Sequence, residues 1–180
     1  PDKQCYSVRS SSSASCNYYL PDEFVSHNLP AKSFSVLHIN ARSLNKNLDH
    51  VTTLISILKY CFTTIAISET WATDQNDNNM QIPGYALFSK PRSSRGGGAS
   101  LYIRDNISCT IRPDLSVDIS GICESVFVEI SSDLKRKTIV GCVYRAPNNE
   151  MDLYNDKFDV LLHKLNKEHA YCAIAGDYNI

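Results

Sequence analysis

The stretch FSVLHINARSLNKNLDHVTTLISILKYCFTTIAISE, residues 34–69, decides the fold. Its opening run is short, apolar and partly β-branched, through Val36, Leu37 and Ile39, and it closes on the polar Asn40, which predicts a strand over 34–40. Leu48, Val51, Leu54, Ile55 and Leu58 then recur at helical spacing, with Asn45 or Asn47 available as the cap and Asp49 in the first turn. A second strand over 63–68 follows and ends at Glu69.

Working downstream, Pro83-Gly84 marks a turn, 85–89 a strand, 96–98 a glycine break and 99–104 another strand. The β-rich runs 124–130 and 138–144 flank a polar connection and pair as an antiparallel hairpin. Tyr154, Phe158, Leu161, Leu162 and Leu165 share a helical face. A last strand over 171–175 ends in Gly176-Asp177-Tyr178-Asn179. This order predicts an α/β fold: a mixed sheet with helices on one face, whose other face packs on a second layer. Upstream, 1–33 reads as a partly disordered leader or linker. Its Ser10 to Ser15 run buries too little to order itself, and Pro21 and Pro30 interrupt any long element. Tyr18, Tyr19 and Phe24 leave room for a packed arm within it.

Composition sets the outer limits. The 180 residues are 43% hydrophobic and 21% charged with a formal net charge of -1, a globular profile. No uncharged apolar run approaches the roughly 18 residues that span a bilayer, which excludes a helical membrane protein. The near-neutral balance supplies no global attraction for nucleic acid, so phosphate binding must come from local groups or a metal. Seven cysteines, an odd count with no C-x-x-C pair, point to neither a disulfide framework nor a zinc cluster, and to an intracellular, reducing compartment.

Polar groups repeatedly close the apolar strands: Asn40, Glu69, Tyr144-Arg145, and Asp177 with Asn179. Brought side by side, they form an oxygen-rich cluster suited to Mg²⁺, which binds through few protein oxygens and keeps several waters. Taken singly, each has an ordinary reading as a solvated strand end, a turn residue, a half-buried aromatic or a surface charge. Spacing by itself leaves both readings open.

The segments Leu37-His38-Ile39-Asn40-Ala41-Arg42-Ser43-Leu44, Ile67-Ser68-Glu69-Thr70-Trp71, Pro83-Gly84-Tyr85, Arg95-Gly96-Gly97-Gly98, Val143-Tyr144-Arg145-Ala146-Pro147-Asn148 and Ala175-Gly176-Asp177-Tyr178-Asn179 together resemble the ordered motifs of the endonuclease/exonuclease/phosphatase superfamily. More narrowly, they are similar to the apurinic-type endonuclease domain of non-LTR (LINE-type) retrotransposons. Glu69-Thr70-Trp71 and the Arg-Gly-Gly-Gly stretch favour that branch over repair enzymes. The match runs over 34–180, and the resemblance implies a four-layer α/β sandwich of two packed mixed sheets flanked by helices.

Residue by residue, the resemblance implies that Glu69 is a metal ligand and that Asn40 helps hold the metal and carboxylates. It implies that Tyr144 contacts the scissile phosphate, that Asp177 serves in proton transfer or aligns the attacking water, and that Asn179 orients phosphate and nucleophile. The implied cofactor is Mg²⁺, with Mn²⁺ as a substitute. The implied activity is nicking of target DNA in the nucleus, leaving a 3′-hydroxyl from which a reverse transcriptase primes. Arg145, Arg92 and Arg95 are candidate DNA contacts, and Lys135-Arg136-Lys137 reads as a solvated hairpin turn. The family's Ser-Asp-His motif, with a catalytic His and a further metal-side Asp, has no counterpart among these residues. The histidines lie at 27, 38, 50, 163 and 169, and His163 and His169 read as helix-surface residues. The expectation is therefore the N-terminal portion of such a domain, with little nicking activity alone and with DNA, the C-terminal half and a downstream reverse transcriptase as partners. It also falls short of the roughly 200 to 250 residues that such α/β domains reach. The alternatives are a repair endonuclease or other phosphoesterase of the same superfamily, and a non-catalytic DNA-binding remnant.

Overall fold

The computed structural model describes residues 16–27, 29, 30, 33–73, 79–92, 96–131, 137–147 and 150–179. In chain order these form α1 (Pro21–Ser26), β1 (Val36–Asn40), α2 (Leu44–Leu58), β2 (Thr64–Ser68), β3 (Tyr85–Lys90), β4 (Ala99–Arg104), β5 (Cys109–Ile111), β6 (Cys123–Ile130), β7 (Thr138–Arg145), α3 (Met151–Lys167) and β8 (Tyr171–Asp177). The strands make two four-stranded sheets, ordered β1-β2-β4-β3 and β5-β6-β7-β8. Each is mixed: β1 runs parallel to β2 and β7 parallel to β8, and the other pairs are antiparallel. The two parallel pairs are the ones bridged by helices, because a parallel return needs a crossover where a tight turn serves an antiparallel one.

Side-chain parity divides the core into three layers. Ile65, Ile67 and Tyr102 point from the first sheet onto α2, packing with Leu44, Val51 and Leu58. Their neighbours Ala66, Leu101 and Ile103 point the other way, against Val126, Val128, Val140 and Cys142 of the second sheet. The alternate residues of that sheet, Cys123, Phe127, Ile139 and Val143, meet Tyr154, Leu161 and Leu165 of α3. Successive strand residues face opposite sides, so β2, buried throughout, serves two cores at once. Each fully buried side chain of Leu or Ile size contributes about 1.5–3 kcal/mol. Helix, sheet, sheet, helix is the expected four-layer α/β sandwich.

Local differences have local causes. Helix α2 begins at Leu44, so Asn45 and Asn47 lie inside it and neither is the cap. The N-cap is Ser43, in the left-handed region and without a side-chain cap bond. Asn47 instead donates its amide to the carbonyls of Ala41 (2.9 Å) and Arg42 (3.2 Å), tying the helix start to the preceding turn. The edge strand β5 is too short to show a period of its own. Within the upstream segment, α1 carries Phe24 onto Phe62, with ring centroids 6.1 Å apart, so this part packs as an arm. Residues 1–15, including the serine run, lie outside the described residues. Among the described residues no helix is long and apolar enough to cross a membrane.

Candidate functional site

The candidate site lies where the ends of β1, β2, β7 and β8 meet across the gap between the sheets. Val36, His38 and Asn40 share the face of β1 that looks toward the second sheet, and Ala175 and Asp177 share the facing side of β8. That parity brings Asn40 and Asp177 together although 137 residues separate them. The Asn40 amide donates from Nδ2 to Asp177 Oδ2 (2.7 Å) and to Glu69 Oε1 (3.0 Å), so one side chain joins two carboxylates from different sheets. Its Oδ1 accepts the Arg42 N–H at 3.2 Å, which fixes the amide's orientation.

Glu69 is presented by a constrained turn. Glu69 and Trp71 both have φ of 53°, a region that side chains other than glycine enter at a cost. Backbone bonds from both sides compensate. Ser43 and Leu44 donate to the carbonyls of Glu69 (2.8 Å) and Thr70 (2.9 Å), and Trp71 donates to the Gly97 carbonyl at 2.9 Å. Gly97 and Gly98 have φ of 70° and 88°, and a Cβ on Gly98 would stand 2.5 Å from Thr70 Oγ1. The glycine break is thus a close backbone approach that supports the Glu69 turn.

Tyr144, 5% exposed, lies between Glu124 and Asp177 in the sheet register. Burial raises its phenol pKa, and the charges of Glu69, Asp177 and Glu124 push the same way against Arg92. The phenol therefore stays protonated, a hydrogen-bond donor aimed into an acidic site. Asn179 reaches the same end of the sheet, but its amide donates to the Arg145 carbonyl at 2.7 Å, so the structure gives it a bracing contact.

Two of the arginines expected on DNA are turned inward. Arg145 follows Tyr144 on the same strand and so points to the opposite face, toward α3. It is 2% exposed, donates to the carbonyls of Asn179 (2.7 Å) and Tyr178 (3.5 Å), and lies 5.5 Å from the centre of the Tyr154 ring. It braces the site from beneath and does not stand on its surface. Arg92 is ion-paired at 3.1 Å with Glu124, and both side chains are largely covered. Arg95 lies outside the described residues, as do Lys135, Arg136 and Asn148, while Lys137 pairs with Glu129 at 2.9 Å. His163 stands exposed on α3 beside Asp159, away from the site.

Sequence reasoning missed two residues here. His38 lies behind Asn40 and shares a hydrogen bond of 3.1 Å with the Ser68 hydroxyl. Burial lowers its pKa, and the nearby Asp177 charge opposes that shift. Its signal was its position two residues before Asn40, on the same strand face. Glu124 is 5% exposed. Burial raises its pKa, and the Gly98 N–H and the Arg92 charge pull it back. Its signal was a carboxylate in step with Val126, Val128 and Ile130 on the apolar side of β6.

Among the described residues no cluster of three or more His, Cys, Asp or Glu side chains is arranged to hold a metal. The oxygen donors that do converge, the Glu69 and Asp177 carboxylates joined by the Asn40 N–H groups, are of the type a hard divalent cation such as Mg²⁺ takes.

No protein-family model matches this sequence, and no curated protein matches it. Solved structures do. The endonuclease domain of TRAS1, a telomere-specific non-LTR retrotransposon, superposes with a TM-score of 0.59 at 16% identity, over 82% of this chain and 59% of that one. The AP endonuclease LMAP from Leishmania major gives 0.62 at 17% identity, over 82% and 55%. The human Nocturnin catalytic domain gives 0.57 at 13% identity, over 82% and 64%. The chain spans less than two thirds of the length of each. At these identities the likeness establishes the fold, and that fold is the one shared by the endonuclease/exonuclease/phosphatase proteins.

Proposed function

We propose that this chain carries the metal- and phosphate-binding part of a Mg²⁺-dependent phosphodiester hydrolase, a DNA endonuclease of the non-LTR retrotransposon type. The observation that carries the reading is the Asn40 amide holding Glu69 and Asp177 together from two sheets. An isolated strand-end carboxylate is ordinary, but two on one oriented amide at the mouth of an inter-sheet gap form a prepared site. The likeness to the TRAS1 endonuclease domain and to an AP endonuclease supports a phosphodiester hydrolase, and the former is what favours the retrotransposon type.

Glu69 would hold the cation, with Mn²⁺ able to take the place of Mg²⁺, and Asn40, whose Nδ2 donates to Glu69 and Asp177, would keep the two carboxylates around it. When bound it supplies positive charge to the phosphate, which repels nucleophiles through its own negative charge. Asp177, whose Oδ2 accepts from Asn40, would accept a hydrogen bond from an attacking water and orient it. Tyr144 offers its phenol proton to a phosphate oxygen. Asn179 and Arg145 keep the Tyr178–Asn179 backbone in place beside Asp177.

The test is Mg²⁺-dependent nicking of a supercoiled plasmid by a chain extended through a Ser-Asp-His segment, with abasic DNA and a phosphate monoester as comparison substrates. Glu69→Ala and Asp177→Ala are each expected to reduce the rate by at least about 100-fold. Nicking that survives EDTA or Glu69→Ala would refute the reading, and preference for abasic DNA would reassign the substrate to the repair type.

A further inference from the structure

Glu124 is the least expected residue of the second sheet. It occupies the last position of an otherwise apolar face, where Val126, Val128 and Ile130 pack between the sheets, and a carboxylate there is costly to desolvate. Its two oxygens are both engaged. Oε1 pairs with Arg92 at 3.1 Å, and Oε2 accepts the buried Gly98 N–H at 3.2 Å. Gly98 and Gly97 in turn pass their carbonyls to the N–H groups of Thr70 (3.5 Å) and Trp71 (2.9 Å), which follow Glu69 in the chain. A Cβ on Gly97 would stand 2.7 Å from Glu124 Oε2, so the glycine backbone lies directly on the carboxylate.

We propose that Glu124, oriented by Arg92, is a positioning residue that sets the Glu69 carboxylate through the Gly97 and Gly98 backbone. The inference rests on the metal-dependent reading of the site. Its physical basis is that the Glu69 turn, with φ of 53° on either side of Thr70, does not hold that shape by local preference. It is held by α2 on one side and by the glycine turn on the other, and Glu124 is the charged anchor of the glycine turn. Arg92 fixes the carboxylate's rotamer and offsets its burial, which is how a charge in this place is tolerated. The pair faces Tyr144 across the β6–β7 register as well, so the same anchor borders the phenol.

Trp71, the single tryptophan of the chain, stands next to this turn and reports on it without any metal. The experiment measures acrylamide quenching of Trp71 and Mn²⁺ affinity by EPR, with circular dichroism to monitor folding, on the 180-residue chain. Its variants are Glu124→Gln, Gly98→Ala, Glu69→Ala and Arg112→Gln. Glu124→Gln and Gly98→Ala are expected to raise quenching and to weaken Mn²⁺ binding by about tenfold, the usual loss for a partner that orients a metal ligand. Arg112→Gln, at the far end of the second sheet, is expected to lower thermal stability and leave both readouts unchanged. Folded Glu124→Gln with wild-type quenching and Mn²⁺ affinity overturns the proposal, as does wild-type Mn²⁺ affinity in Glu124→Gln when Glu69→Ala abolishes binding. If quenching rises in Glu124→Gln while Glu69→Ala binds Mn²⁺ normally, the metal reading falls and the hold of Glu124 on the turn stands. Should Glu124→Gln fail to fold, Gly98→Ala probes the next step of the same path, because its Cβ would meet Thr70 Oγ1, and wild-type quenching and affinity in that variant overturn the proposal equally.

Discussion

Replacing Arg145 by methionine separates a brace from a DNA contact. Methionine keeps an unbranched apolar stem under Tyr154 and removes the guanidinium that holds the Asn179 and Tyr178 carbonyls. A hydrogen bond from a charged donor contributes about 1.5–3 kcal/mol, and a desolvated cation over an aromatic ring contributes about 2 kcal/mol. Against this stands the desolvation of a guanidinium only 2% exposed, which methionine does not incur. The net expected loss is about 2–4 kcal/mol, which at about 2–4 °C per kcal/mol for a chain of this size lowers Tm by about 5–15 °C. The assays are thermal unfolding by circular dichroism and DNA binding by fluorescence anisotropy across a salt series. A residue that neutralises a phosphate contributes about 0.9 to the slope of log K against log salt, whereas Arg145 as a brace contributes nothing. An unchanged Tm with a slope shallower by about one would refute the reasoning and return Arg145 to the DNA-facing surface.

Other outcomes follow from the same geometry. Tyr144→Phe keeps the packing of a 5%-exposed ring and is expected to leave Tm nearly unchanged while reducing single-turnover nicking by about 10²–10³, the loss for one positioned donor. Arg112 bonds Asp114, Glu129 and Glu168 at 2.8, 2.7 and 2.5 Å, and its hydrogen bonds hold the Asp114 and Glu168 carboxyls below their ordinary values of 3.8 and 4.5. A depressed folded-state pKa stabilises above the unfolded value, and that stabilisation is lost as pH falls through the folded value. Urea unfolding should therefore show a loss of stability below pH 4.5 that Arg112→Gln makes shallower; an identical acid limb in the variant would refute the linkage. Burial pushes the Cys123 and Cys142 thiols up to about 12, so DTNB at about pH 8 should label exposed Cys16 and Cys61 and spare these two until the chain unfolds. Rapid labelling of Cys142 in the folded chain would contradict the sheet-on-sheet packing.

Much of the fold was legible because periodicity is a local property. The strand ending at Asn40, the helix carrying Val51 and Leu58, the hairpin of β6 and β7 and the helix carrying Tyr154 and Leu161 each announce themselves within a dozen residues. Parity along a strand is equally local, and it already separates Tyr144 from Arg145: neighbours on a strand cannot both face one site. Read that way, the sequence also marks Glu124 as a carboxylate on an apolar face. The cap of α2 was not legible, because Asn47 spends its amide on the Ala41 and Arg42 carbonyls of a left-handed turn that no propensity favours.

The sequence by itself determined the order of the main elements, the polar residue at each strand end and the apolar faces that had to be buried. The tertiary structure alone decided which ends meet. Asn40 finds Asp177 across 137 residues, and the Glu69 turn finds its support in Gly97, Gly98 and Glu124. The physical reason is that a repeat of side chains specifies a surface to be buried but not its partner. The choice of partner comes from packing two sheets face to face, and it is that packing which turns strand-end residues with ordinary separate readings into one site.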